Sequence, residues 1–313
     1  MAEQVLMQQA ASKRQSLLRS IYRHKWLYFM MIPGILYFAI YHYGPMGGLM
    51  IAFQDYNLLK GVFGSPWVGF QNFAFIFNTP DFYRLLSNTL IISVYRIVFG
   101  MLPDVLLAIL LNEIRSVWFK KTVQTITYGP YFLSWVVIYG IAFAFLSNEG
   151  LLNFGLKSMG ANPVEFLTAD EYFRSILVVT DIWKNTGYGA IIYLASLAAI
   201  NPQLYEAAVV DGAGRWRQIW HITLPGIRDV FVLLLILRIG HILDAGFDQV
   251  YIFLNARVYE VGDIIDTWVF RMGIEELNFS VAAATGFFKS IIGLVLVILA
   301  NQIAKKLGGS GIW

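Results

Sequence analysis

Apolar residues along this chain come in long blocks, not in the alternating or amphipathic spacing of a water-soluble fold. A helix needs about 20 predominantly apolar residues to cross the hydrocarbon core of a bilayer. Six blocks reach or approach that length: 26–43, 85–111, 123–146, 176–200, 230–254 and 281–304. The first and third carry no formal charge. Arg96 and Asp104 interrupt the second, and Asp181 and Lys184 the fourth. Arg238, His241, Asp244 and Asp248 interrupt the fifth, and Lys289 the sixth. The pattern predicts an all-α fold, a polytopic membrane bundle of about six transmembrane helices over 26–304. A segment 1–25 precedes it and a tail 305–313 follows.

Composition agrees with lipid as the solvent. Only 14% of residues are charged and 58% are hydrophobic, where soluble domains carry about 25% charged residues. Lysine and arginine then orient the bundle, because basic loops stay in the cytoplasm. Lys13, Arg14, Arg19, Arg23, Lys25, Arg115, Lys120, Lys121, Arg215, Arg217, Arg228, Lys305 and Lys306 fall on one side. Lys60, Arg84, Lys157, Arg174, Arg257 and Arg271 fall on the other. That is thirteen against six, so both termini are expected in the cytoplasm. The basic N-terminal stretch leads into a full span with no small-residue cleavage site, unlike a secretory signal. Outside, "FQDYNLLKGVFGSPWVGFQNF" carries six aromatics, which suit either an interfacial belt or a docking surface.

Several chemistries find no residues here. Without cysteine there are no disulfides, Cys-ligated zinc sites or iron–sulfur clusters. The four histidines are scattered, and no His-Glu-x-x-His occurs. No Gly-Lys pair exists, so there is no P-loop. Any ATP and magnesium used in this protein's work are expected on partner subunits, with no cofactor on this chain.

Between the fourth and fifth blocks lies a polar stretch, 201–227, that the orientation places in the cytoplasm. Asn201 can cap a helix whose first position is Pro202. Leu204, Ala207 and Ala208 then share one face. Asp211-Gly212 ends the helix, since glycine takes the left-handed turn readily. A second short helix puts Trp216, Ile219 and Trp220 on one side, and Pro225 is expected to end it. Two short helices at a sharp corner can enter a cleft on a neighbouring subunit, or can pack on their own bundle.

The residues Glu206, Ala207, Ala208, Gly212, Ile222, Leu224 and Pro225 match, at every spacing, the EAA signature of bacterial binding-protein-dependent ABC importer permeases. "VVDGAG", with Asp211, is similar to the form used in the sugar-uptake branch. "GLMIAFQDYNLLKGVFGSPWVGFQNF", "LRIGHILDAGFDQVYIF", "VYEVGDIIDTWVFRMG" and "KKLGGSGIW" resemble the polysaccharide-type permeases, including alginate and aldotetraouronic acid types and, more distantly, the maltose transporter permeases. The resemblance implies a type I importer permease fold of the MetI-like kind, with the insert as coupling helix. It implies a homologous second permease, two ABC ATPase subunits, an extracytoplasmic solute-binding protein and an oligosaccharide substrate. No nucleic acid is expected. The resemblance implies the bacterial cytoplasmic membrane as location.

Charges at mid-bilayer cost about 2.5–3.5 kcal/mol each against lipid, so those inside the spans are expected to face protein or water. On the fifth span His241, Asp244 and Asp248 share one stripe at i, i+3 and i+7, with Arg238 three residues before His241. Asp181, Lys184, Asn185 and Tyr188 form a similar stripe on the fourth. With Lys289 they are candidates for lining a sugar path, where hydroxyls need hydrogen-bonding partners and apolar sugar faces stack on rings such as Tyr188, Tyr193 or Trp183. The alternative is an internal salt-bridge network, such as Asp181 with Lys184. Basic path residues would favour acidic sugars. A secondary transporter or channel with a charge relay is the rival class, but it leaves the insert unexplained. A membrane-embedded enzyme lacks both a metal constellation and a Gly-x-Ser-x-Gly elbow.

Overall fold

A computed structural model describes residues 23–306. The expected N-terminal segment 1–25 and tail 305–313 therefore lie almost wholly outside the described residues. The regular elements in that range are all helical, with one isolated bridge between Gln54 and Trp67.

The first block forms α1 (Lys25–Phe38), then a wide π turn (Ala39–Tyr43) and a tight helical stretch (Gly44–Phe53), all in one run. The helical path thus extends ten residues beyond the expected span. α1 and the wide turn bury no residue, and packing against the last helix comes through the Gly44–Phe53 stretch. Two short helices follow, α2 (Gly61–Gly64) and α3 (Gln71–Asn78). The aromatic loop divides here. Phe53 and Phe73 pack edge-on against Phe287 of the last helix, whereas Phe63 and Trp67 stay exposed.

The second block becomes α4 (Phe82–Glu113), the longest helix. Its partner is α8 (Asp170–Ala198), and the two form the most extensive helix pair in the bundle. Between them the third block does not run as one crossing. α5 (Val117–Tyr128) tightens through Gly129–Phe132 and stops at an extended Leu133. Ser134 then caps α6 (Trp135–Leu146), accepting from the Val137 amide, and α7 (Leu151–Ser158) follows. Pro130 has no amide hydrogen to continue the α-helical ladder, which accounts for the tightening just ahead of the break.

After the insert, α11 (Leu224–Gly240) begins the fifth crossing. The expected continuous fifth helix is interrupted. Residues 241–246 form turns, and α12 (Phe247–Phe253) resumes after Gly246 at φ +83°. α13 (Tyr259–Gly262) and α14 (Ile265–Phe270) lead to the final α15 (Phe279–Lys306). By length and composition, Phe82–Glu113, Trp135–Ser158 and Phe279–Lys306 can each cross a membrane unaided. The first and fifth blocks fall short because each is subdivided, and α8 because it is more polar.

Three buried apolar clusters hold the bundle. One joins the end of the first run to α4, α14 and α15. A second joins α4, α6, α8, α12 and α13. The third joins the later halves of α4 and α8 to the start of α11, around Ala108, Ala190, Tyr193 and Ile227. That last cluster seats the insert's two ends on the bundle.

Candidate functional site

The insert folds as its local sequence predicts. Asn201 Oδ1 accepts from the Gln203 amide at 3.0 Å, with Pro202 opening α9 (Pro202–Val210). The helix ends in a Schellman turn. The Gly212 amide reaches the Val209 carbonyl at 3.0 Å, and the Ala213 amide reaches the Ala208 carbonyl at 2.8 Å. Gly212 stands at φ +73°, and a Cβ there would meet open space. The second limb, α10 (Arg215–Gln218), widens into a π turn at Ile219–Thr223 and runs on into α11. Pro225 therefore does not end a helix, as the sequence suggested. It comes just after the π turn, in the first turn of α11, and the widened turn accommodates a residue with no amide hydrogen.

A hydrogen bond between Tyr205 Oη and the buried Thr223 Oγ1, 3.0 Å apart, braces the two limbs. No residue of α9 is buried. Glu206, Ala207, Asp211 and Gly212 are exposed, and Ala208 and Ile222 are half-buried, as is Leu224. Glu206 and Asp211 form no side-chain ion pair among the described residues. The elbow is ordered by its own caps and brace, and none of the other described residues covers its outer face.

The membrane-level charges behave differently. Arg96 on α4 donates to the Asp181 carboxylate on α8 and to the Ala245 carbonyl in the break of the fifth crossing. Asn185 Nδ2 donates to the same Asp181 oxygen at 2.8 Å. Arg238 donates to Asp104 on α4 at 2.9 Å. Gly189 leaves room for Asp104, since a Cβ at that position would collide with its carboxylate. Gly246 serves the break twice: its φ excludes most side chains, and the Arg96 guanidinium occupies the space a Cβ would take.

On the other side of the break, Lys289 of α15 donates to Asp244 at 2.7 Å and to Asp266 of α14. His241 Nδ1 lies 3.1 Å from Asp244. These four residues line a groove of about 450 Å³ between the fifth and sixth crossings, together with Gly240, Gly286, Ser290 and Gly293. His241 and Asp244 are exposed. Ionisable groups left open at this depth cannot face hydrocarbon cheaply, so the groove faces water or another polypeptide.

The break corrects the expected fifth-span stripe. Arg238, at the end of α11, turns to Asp104. His241 and Asp244 sit in the turns and look toward Lys289. Asp248 is exposed in the first turn of α12, where a carboxylate suits the positive end of the helix dipole. The fourth-span stripe also divides. Asp181 and Asn185 join Arg96, but Lys184 donates to the Tyr131 and Leu133 carbonyls freed by the break in the third block. Its ammonium lies 5.4 Å from the Trp135 ring, and Tyr188 stacks on Tyr131 at 3.9 Å. The Asp181–Lys184 bridge considered from sequence is not formed.

Sequence reasoning left out Asp266, which completes the Lys289 clamp, and Arg96 and Asp104 as path-level partners. Asp263 is buried and bidentate with Arg271 at 2.7 and 2.9 Å, which holds that guanidinium more firmly protonated than usual. Glu260 and Glu165 pair with Arg84 and Arg257.

An all-helical bundle with charges braced across its middle and a free elbow at one end is the build of a transport system's membrane-spanning component. The chain belongs to the family of binding-protein-dependent transport system inner membrane components, whose family profile matches residues 91–309. It is a multi-pass membrane component of transport, not an enzyme. Over 302 residues it is 46% identical to the polygalacturonan/rhamnogalacturonan transport system permease protein YteP of Bacillus subtilis, covering 96% of this chain and 94% of that protein. It is 44% identical to Protein LplB of the same organism, covering 97% and 96%. Among solved structures, it is similar to a chain of a bacterial alginate ABC transporter in complex with an alginate pentasaccharide-bound periplasmic protein. That match has a TM-score of 0.86 and 39% identity, covering 94% of this chain and 99% of the other. A second structure, of a transporter importing the acidic polysaccharide alginate, matches with a TM-score of 0.85 and 40% identity over 93% and 98%.

Proposed function

We propose that this chain is the permease subunit of an ATP-driven importer of acidic oligosaccharides or polysaccharides. An extracytoplasmic solute-binding protein delivers the solute, and both termini lie in the cytoplasm. The observation that carries the reading is full-length similarity at 39–46% identity to transport proteins whose names specify polygalacturonan, rhamnogalacturonan or alginate. Each of those polymers is rich in uronate carboxylates.

Coupling runs through the elbow. Partner ATPase subunits hold ATP and magnesium and grip α9, whose exposed outer face and Schellman corner suit a socket. Because the second limb continues into α11 and only Ala199 and Ile200 separate α8 from Asn201, a push on the elbow moves the fourth and fifth crossings as levers. ATP drives this only if the ATPases bind the two states with different affinity. A homologous second permease covers α1, which buries nothing against its own bundle. It also faces the polar groove, so that His241, Asp244 and Lys289 border the solute path. Asp181, Asn185 and Arg238 brace the path's wall from behind.

The test is ATPase stimulation in the intact transporter, reconstituted with its binding protein. Oligogalacturonate or oligoalginate should stimulate hydrolysis and uptake at least tenfold over a neutral oligosaccharide of equal length. Equal stimulation by both would remove the acidic-sugar assignment. Uptake driven by a proton gradient, without ATPase subunits, would favour a secondary transporter.

A further inference from the structure

A second groove, of about 810 Å³, lies between α4 and the second limb of the insert. Transport as described above makes no use of it. One wall is Leu102, Leu106 and Leu110, a single face of α4 at four-residue spacing. Each is more than half exposed. The opposite wall is Trp216, Trp220 and Phe231. The lining's charges are Glu113, Arg215 and Arg228, which leave one net positive charge. Glu113 is the last residue of α4 and Arg215 opens α10, so the charged end is the insert end.

The dimensions fit one leaflet. From Leu102 to Glu113 a helix rises about 16 Å, and half the hydrocarbon core is about 15 Å. The groove is therefore charged and aromatic at a membrane–water boundary and purely apolar from there inward. A sugar would find no hydrogen-bonding wall along that depth. A packed protein helix is also a poor occupant. Helix interfaces in membranes are rich in Gly, Ala, Ser and Thr, and this lining contains none of them. The polar groove between the fifth and sixth crossings, with Gly240, Gly286, Ser290 and Gly293, has the wall of a protein contact.

We propose that the 810 Å³ groove holds an anionic glycerophospholipid from the leaflet on the insert's side. Its phosphate lies at Arg215 beside Arg228. An acyl chain runs along Leu102, Leu106 and Leu110, and the Trp216 and Trp220 indoles, 77% and 65% exposed, take the boundary position such rings prefer. Because the lipid seats the second limb of the elbow, the charge of the leaflet tunes how firmly that limb is held. This holds whatever solute the protein carries.

The experiment uses the intact transporter in nanodiscs of equal phosphatidylglycerol and phosphatidylcholine, read by native mass spectrometry. A photoreactive amino acid at position 106 reports what fills the groove. The wild type should retain phosphatidylglycerol at least fivefold over phosphatidylcholine, and the position-106 probe should label lipid. Leu106→Trp, which fills the groove, and Arg215→Gln, which removes its phosphate partner, should each bring the retained ratio near one. Equal retention of both lipids by the wild type, or labelling of a protein subunit instead of lipid, would overturn the proposal.

Discussion

The middle of this bundle and its insert treat charge in opposite ways. At the membrane level Arg96, Asp104, Asp181, Arg238, Asp244, Asp266 and Lys289 are joined in ion pairs that cross from helix to helix. In the insert, Glu206, Asp211, Arg215 and Arg217 form no side-chain ion pair among the described residues. Solvent explains the contrast. A charge withdrawn from water must be answered by a partner within the protein, and these partners lie on other helices. The insert's charges keep their water and cost nothing to leave open. Pairing therefore marks the rigid frame, and its absence marks the surface available to something else.

Breaking the frame should have the largest effect. Arg96 and Asp181 have side chains only 17% and 11% exposed, and Arg96 also holds the Ala245 carbonyl of the fifth-crossing break. Arg96→Met leaves a buried carboxylate with only Asn185. The expected loss is about 3–5 kcal/mol, seen as a large fall in the melting temperature of the purified protein and in its yield from membranes. The double variant Arg96→Met with Asp181→Leu should recover at least half of that loss, since an apolar pair of similar volume is often tolerated. If the single variant melts like the wild type, the interior charges are not a frame at all.

The same contrast decides what could be read from the sequence. The elbow was legible because everything that makes it is local: Asn201 and Pro202 start α9, Gly212 turns it, and the apolar spacing fixes the faces. The six membrane blocks were legible from their composition. The break at 241–246 was not, because the polar residues of 230–254, Arg238, His241, Asp244 and Asp248, are spaced to fit one stripe of an unbroken helix. Its cause is spread over the fold, in Arg96 lying 149 residues from the carbonyl it caps. Gly246 was the one local sign. Reading the fifth block as unbroken put Asp248 on the same stripe as His241 and Asp244, where the structure gives it a helix N-terminus. Lys184 was misassigned for the same reason. Its true partners are carbonyls released by a second break, at Leu133–Ser134, that hydropathy does not register.

Perturbing the elbow should cost little stability and much function. Gly212→Val places a branched side chain at φ +73°, in open space, so the penalty is backbone strain of about 1–2 kcal/mol. Melting should shift by a few degrees while solute uptake falls more than tenfold and ATP hydrolysis persists. Gly212→Asn, which tolerates the left-handed conformation, should keep at least half of the uptake. Equal uptake by the valine variant and the wild type would mean that the corner transmits nothing.

The smallest effect expected sharpens the comparison most, because it separates the elbow's internal order from its outward face. Tyr205 lies on α9 and reaches Thr223, which is buried at the start of α11. Tyr205→Phe removes one hydroxyl and one neutral hydrogen bond, worth about 1 kcal/mol, and leaves every exposed residue of α9 in place. If the limbs act as one lever, uptake should fall two- to threefold, with a matching rise in the ATP hydrolysed per solute moved, because part of each push bends the elbow instead of tilting α11. If the outward face alone matters, stoichiometry should be unchanged. Measuring ATP per solute in Tyr205→Phe, with Asn201→Ala as a second loosening at the cap, distinguishes the two. An unchanged ratio in both variants would show that the joint works without its brace.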